Sequence, residues 1–236
     1  MCRLLVVKSK NEFSISNHLK EFAEICRDSE EYQGHGWGLA YLNSNNDWIH
    51  YKNIKPIFED DLTQFSKTKF LVVHARSAFQ DKDIIVKNNM PFYDDKYVFV
   101  FNGELSGVRI KEKGRIGAEK IFNFIKRFDK GKSEDMLEKG IRFLKKRTKA
   151  YKAINVIIVT KENIFLSTNF SERPNYFTMN FKENDNELII CSMLYENEEG
   201  WIKIENNTEM MWWYKMITEK IYRFLSFHNC EVMQLW

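Results

Sequence analysis

Apolar residues fall along this chain in short runs of two different periods. Over 15–25, Ile15, Leu19, Phe22 and Ile25 recur at helical spacing with Ser14 or Ser16 as a cap, which predicts a surface helix. Residues 118–128 repeat the pattern with Ile121, Phe122, Ile125 and Phe128, and 134–146 with Met136, Leu137, Ile141 and Leu144. The other apolar segments are short and rich in β-branched or aromatic residues. They are 3–7, 37–42, 70–74 and 97–101 before the two middle helices, and 154–159, 164–167, 176–181 and 188–191 after them. Strands, then two helices, then strands predict an α+β fold in which helices cover sheets.

The last part of the chain reads differently. Over 210–228, Met210, Trp213, Ile217, Ile221, Phe224 and Leu225 form an apolar helical stripe opposite Lys215, Glu219, Lys220 and Arg223. We expect one domain over 1–205 and an amphipathic helix within 206–236, packed on that domain or at a subunit interface. Its polar face mixes both charges, which disfavours a membrane-surface anchor.

Composition narrows the functional classes. The chain has 236 residues, with 36 Lys and Arg against 33 Asp and Glu, so charge is nearly balanced and nucleic acid is not an expected partner. The 19 Phe, 10 Tyr and 6 Trp supply a large core and exclude disorder of the whole chain. Apolar runs stop far short of the ~20 residues of a transmembrane helix, and the N-terminus lacks a secretory pattern, so a cytoplasmic location is expected. Cys2, Cys26, Cys191 and Cys230 show no CxxC spacing, so neither a metal site nor a disulfide framework is expected. Cys26, Cys191 and Cys230 read as small buried hydrophobes.

Cys2 has a chemistry of its own. Removal of Met1, which the small Cys side chain permits, would put a thiol and an α-amine on one residue. The amine titrates near ~7.7–8.0 and the thiol near ~8.5, so the amine can serve as base for its own side chain. That is the logic of an N-terminal nucleophile.

Four further motifs follow in order: GHGWGLAYL at 34–42, VVHARSAF at 72–79, NNMPF at 88–92 and FNGEL at 101–105. Together with the initial MC, they resemble the class II glutamine amidotransferase domain in its stand-alone form without a synthase domain. Ser192 and Trp201 match the family's closing strand more weakly. The resemblance implies a four-layer αββα sandwich of two antiparallel sheets, as in N-terminal nucleophile hydrolases. It also implies an amidohydrolase that cleaves glutamine or a γ-glutamyl amide through a Cys2 thioester, without a cofactor. Asn102 and Gly103 would form the oxyanion hole. Arg76 would bind the substrate α-carboxylate, for which a guanidinium fork is suited, and Ser77 and Ala78 would also line the substrate site.

The match has gaps. The family's ammonium-binding Asp falls at Gly117, leaving Glu104, Glu119 or Asp94 as substitutes, or else a substrate whose α-amine is blocked or absent, and Phe101 replaces a His. His35 stands where relatives often carry an acid, and no role is assigned to it; His74 reads as a core histidine, and Gly36 and Gly38 as scaffold. A relative that binds a metabolite or partner protein without turnover is the alternative. A bile-salt or penicillin V hydrolase type is a third, whose Arg and Asp pattern the first segment lacks. The expected partners are a small amide substrate and either an ammonia-accepting subunit or a second copy of the chain.

Overall fold

The computed structural model describes residues 1–131 and 133–213. In chain order the elements are β1 (Arg3–Ser14), α1 (Ile15–Arg27), β2 (Trp37–Leu42), β3 (Trp48–Asn53), β4 (Lys67–Ala75), β5 (Phe92–Tyr93) and β6 (Val98–Ser106). Then come α2 (Gly117–Lys126), α3 (Ser133–Lys146), β7 (Ala150–Val159), β8 (Asn163–Thr168), α4 (Pro174–Phe177), β9 (Asn180–Glu183), β10 (Glu187–Cys191), β11 (Ile202–Lys203) and β12 (Thr208–Trp213). The fold class is α+β with two antiparallel sheets. Two compact units carry them, one of Met1–Pro91 with Thr178–Ile204, the other of Phe92–Phe177 with the described residues from Glu205 onward.

The first unit holds the seven-stranded sheet, ordered β11-β9-β10-β1-β4-β2-β3. Its central strands read LLVV in β1 and FLVV in β4, all buried, as strands paired on both edges and covered by side chains require. Leu5 pairs with Val73 on one side and Cys191 on the other, and Leu39 also pairs with Val73. Helix α1 turns Ile15, Leu19, Phe22 and Cys26 inward, one residue per turn, to join Leu5, Val7, Trp37, Leu71 and Val73 in a single core. The indole of Trp37 is fully buried, and its Nε1 donates to Asp60 Oδ2 at 2.9 Å. Tyr51 and Asn53 donate to the same oxygen at 2.7 Å each, so one carboxylate ties β2, β3 and the loop after β3.

The second unit holds the five-stranded sheet, ordered β12-β8-β7-β6-β5. Phe99 of β6 stacks on Phe122 of α2 with centroids 5.0 Å apart, and Met136, Leu137, Ile141 and Leu144 of α3 are buried. Both helical stripes seen in the sequence therefore face inward.

Two expectations need correction, and one strand was not foreseen. The segment 176–181 is not one strand: Tyr176 and Phe177 close the short α4 and only Asn180 onward is extended, because Pro174 fits the first turn of a helix. Strand β3 follows β2 through a turn at Asn43–Asp47, where the Asn43 side chain accepts from Asn45 and Asp47; its mixed sequence WIHYKN hid it. The helix expected within 206–236 does not begin at its N-terminal end, where 208–213 pairs with β8 as strand β12; side-by-side pairing outweighs the helical stripe. The remainder of that expectation, with Cys230, lies outside the described residues. No helix among the described residues is long and apolar enough to cross a membrane.

Candidate active site

The register that sets Arg3 opposite Ala75 puts Cys2 and Arg76 one step beyond the paired strands, side by side at one sheet end. Strand β2 completes this end from the other flank of β4: Trp37 pairs with Ala75, Arg76 N–H donates to Gly36 C=O at 2.9 Å, and His35 N–H donates to Arg76 C=O at 3.1 Å. Gly36 has φ +97°, and a Cβ there would lie 2.2 Å from Asn89 Nδ2, so the turn carrying His35 requires glycine.

Cys2 is half-buried, and its Sγ donates to Ser77 C=O at 3.7 Å. Burial pushes its thiol above the ordinary range; the N-terminal ammonium, the Ser77 backbone and the Arg76 guanidinium pull the other way, while Glu31 adds to the rise. Cys26 and Cys191 are buried thiols, also raised by burial, and Cys191 is pushed up to about 12.

Arg76 is buried, which lowers the guanidinium from its ordinary value, partly offset by Cys2 and Asp83. Its Nη1 donates to Asp83 C=O at 3.0 Å and to Asn89 Oδ1 at 3.3 Å, and Nη2 donates to Lys82 C=O at 3.4 Å. Asn89, fully buried in the NNMPF segment, in turn donates to Asn53 C=O at 2.7 Å. The loop after β4 is thus wrapped around the arginine, with Gln80, Asp81 and Asp83 at positive φ.

His35, to which the sequence assigned nothing, holds the same loop. Its Nδ1 accepts the Ala78 N–H at 2.8 Å, and its Nε2 lies 3.5 Å from Asp81 Oδ1. Burial lowers its pKa, Asp81 opposes this, and Arg76 and the N-terminal ammonium add to the lowering. A neutral imidazole with Nδ1 unprotonated suits this bond. Sequence reasoning also missed Glu31 and Gln33, which contact Met1 from the polar run ahead of the GWG segment. The only available signal was that run's density of charged and amide residues. His74 is fully buried, as a core histidine should be.

The remaining predicted residues lie in the second unit. Asn102 is fully buried on β6 opposite Asn155, whose Nδ2 donates to Phe177 C=O at 2.7 Å and whose Oδ1 accepts from Thr168 at 2.8 Å. Gly103 follows it, and a Cβ there would lie 2.1 Å from Ala153 C=O, so β6 and β7 pass too closely for any side chain. Gly117 opens α2 beside open space. The three acids named as its substitutes each carry a cation: Glu104 pairs with Lys152 at 3.2 Å, Asp94 with Lys126 at 2.7 Å and Glu119 with Arg115 at 2.5 Å. Cys2, Arg76, Ser77 and Ala78 are thus brought together in the first unit, and Asn102, Gly103, Glu104 and Gly117 lie in the second.

No family model and no curated protein matches the sequence. Solved structures do match the fold. A glutamine aminotransferase class-II domain protein from Silicibacter pomeroyi aligns with TM-score 0.65 at 11% identity, over 95% of this chain and 100% of that one. A protein described as a predicted glutamine amidotransferase from Pseudomonas aeruginosa aligns with TM-score 0.58 at 14% identity, over 90% of this chain and 97% of that one. Glutamine phosphoribosylpyrophosphate amidotransferase from B. subtilis aligns with TM-score 0.68 at 14% identity over 97% of this chain, which spans 50% of that enzyme.

Proposed function

Taking the fold of class II glutamine amidotransferase domains as premise, we propose that this protein is an N-terminal cysteine amidohydrolase of that type. Its substrate is glutamine or a γ-glutamyl amide. The observation that carries the reading is the Cys2–Arg76 pair: the strand register brings the one residue able to be an N-terminal thiol beside a buried guanidinium.

The chemistry starts with loss of Met1, which turns the Cys2 backbone nitrogen into a free amine. That amine takes the thiol proton as sulfur attacks the amide carbon. Asn102 Nδ2–H and Gly103 N–H stabilise the oxyanion in this reading, donors whose individual loss typically lowers rate about 10²- to 10³-fold. The C–N bond then breaks, and ammonia or an amine leaves with the proton held by the α-ammonium. Water, deprotonated by the same amine, hydrolyses the thioester to the free γ-carboxylate and regenerates the thiol. Arg76 binds the substrate α-carboxylate, exchanging bonds to loop carbonyls for a paired, charge-assisted contact.

The test is ammonia or amine release from glutamine, γ-glutamyl peptides and glutathione by protein whose mass shows Met1 removed. Equal rates for wild type and Cys2→Ala reject the reading. Trapping of an acyl adduct on Cys2, seen by intact mass, supports it directly.

A further inference from the structure

In the unprocessed chain Met1 is held at both polar ends. Its α-ammonium pairs with the Glu31 carboxylate, and its carbonyl accepts from Gln33 Nε2 at 2.7 Å. Gln33 is fully buried and also donates to the Glu31 carbonyl at 2.8 Å, so the donor is fixed by the same turn that carries the acid. The Met1 side is 10% exposed and the Glu31 side chain 29%. Glu31 also acts on the neighbouring sulfur, where its charge opposes the thiolate that Arg76 and the N-terminal ammonium favour. The protein therefore contains a screened cradle for an α-ammonium and its adjoining carbonyl, next to Cys2.

Removal of Met1 empties that cradle of its ammonium and carbonyl together. We infer that Glu31, supported by Gln33, is the binding site for the α-ammonium of an amino-acid substrate, occupied by Met1's own ammonium until processing. Glu31 and Arg76 then supply the opposite charges that the two ends of a free α-amino acid require. The site selects glutamine or a γ-glutamyl amide with an unblocked α-amine over an N-acylated analogue, because acylation removes the cation. The substrate class rests on the amidohydrolase reading; the ammonium site rests on the Met1–Glu31–Gln33 contacts.

The test separates the two. Cys2→Ala keeps a small second residue, so Met1 removal proceeds and is verified by intact mass. L-glutamine and N-acetyl-L-glutamine are titrated calorimetrically into Cys2→Ala and into the same protein carrying Glu31→Gln. Acetylation is expected to weaken binding to the first protein by about tenfold or more and to the second by less than about twofold. Retained Met1, absent glutamine binding, equal affinities for the two ligands, or a preference unchanged by Glu31→Gln each overturn the proposal. Turnover by wild type is measured separately: a binding preference without turnover removes the amidohydrolase reading and leaves the ammonium site standing. Turnover in which Glu31→Gln slows glutamine and N-acetylglutamine equally assigns Glu31 to the Cys2 amine and overturns the site.

Discussion

Cys2 and Arg76 are neighbours because two antiparallel strands end at the same level: the last pair, Arg3 with Ala75, leaves one residue beyond it on each strand. The neighbour of Cys2 is therefore fixed by backbone register, and the arginine's head is fixed by the carbonyls of Asp83 and Lys82 and the side chain of Asn89.

Arg76→Ala is expected to raise KM for glutamine about 10- to 100-fold, the range for losing a hydrogen-bonded charge contact. Arg76→Lys should recover only part of this, since an ammonium cannot form the paired contact. Steady-state kinetics on both variants check it, and an unchanged KM in Arg76→Ala removes the carboxylate role.

Asn102→Ala should lower kcat about 10²- to 10³-fold with KM little altered, the signature of a donor used in the transition state. A thermal melt run alongside separates this from misfolding, because Asn102 is fully buried. A proportional fall in folded fraction and activity would speak for packing alone.

Acidification should loosen the loop after β4 through His35. Burial lowers the folded pKa of His35 below its unfolded value of about 6.5, so its contribution is fully present above that value and fades as pH falls through the folded pKa. Protonation puts a hydrogen on Nδ1, where Ala78 N–H is now accepted. Amide exchange at Ala78, corrected for its intrinsic pH dependence, should lose protection on the acid side in wild type but not in His35→Asn, whose Oδ1 can accept at any pH. Protection independent of pH in wild type counts against it.

Glu209 gives a stability effect of opposite sign. It is buried on β12, and among the described residues its Oε1 has no hydrogen-bond partner; burial and then Glu138 raise its pKa to about 7, against Lys145 and Arg142. A carboxyl raised from 4.5 to about 7 is tolerated fully below 4.5 and destabilises progressively as pH rises through about 7, by about 3 kcal/mol at the high end. The stability gap between Glu209→Gln and wild type should therefore shift in favour of the variant between pH 4.5 and 8. Denaturant titrations across that range test it, and a constant gap would refute the ionisation account.

Much of the fold was legible because sequence period and burial agree. The 15–25 stripe became α1 over Ile15–Arg27, and 37–42 became β2 with the same bounds, since both bury one clear face. Pairing partners were not legible: β12 looks helical in sequence and is held by β8, while β3 shows too little alternation to announce itself. At the candidate site, motif order pointed to Cys2 and Arg76, and the strand register sets the two side by side. The roles of Glu31, Gln33 and His35 depend on contacts made by a loop, and no local pattern encodes those.

The centre of the larger sheet has a temporal consequence. β1 is made first, yet one of its two neighbours, β10, leaves the ribosome only after Cys191 has been added. At about 5–20 residues per second, the interval between Ala75 and Cys191 lasts on the order of ten seconds. During that time β1 has one flank uncovered, and the Met1–Cys2 bond, whose cleavage the proposal above requires, is reached by trimming enzymes before the sheet closes. The loss of Met1 that the proposed chemistry requires is thereby scheduled by strand order, ahead of the fold that would later shelter the bond it breaks.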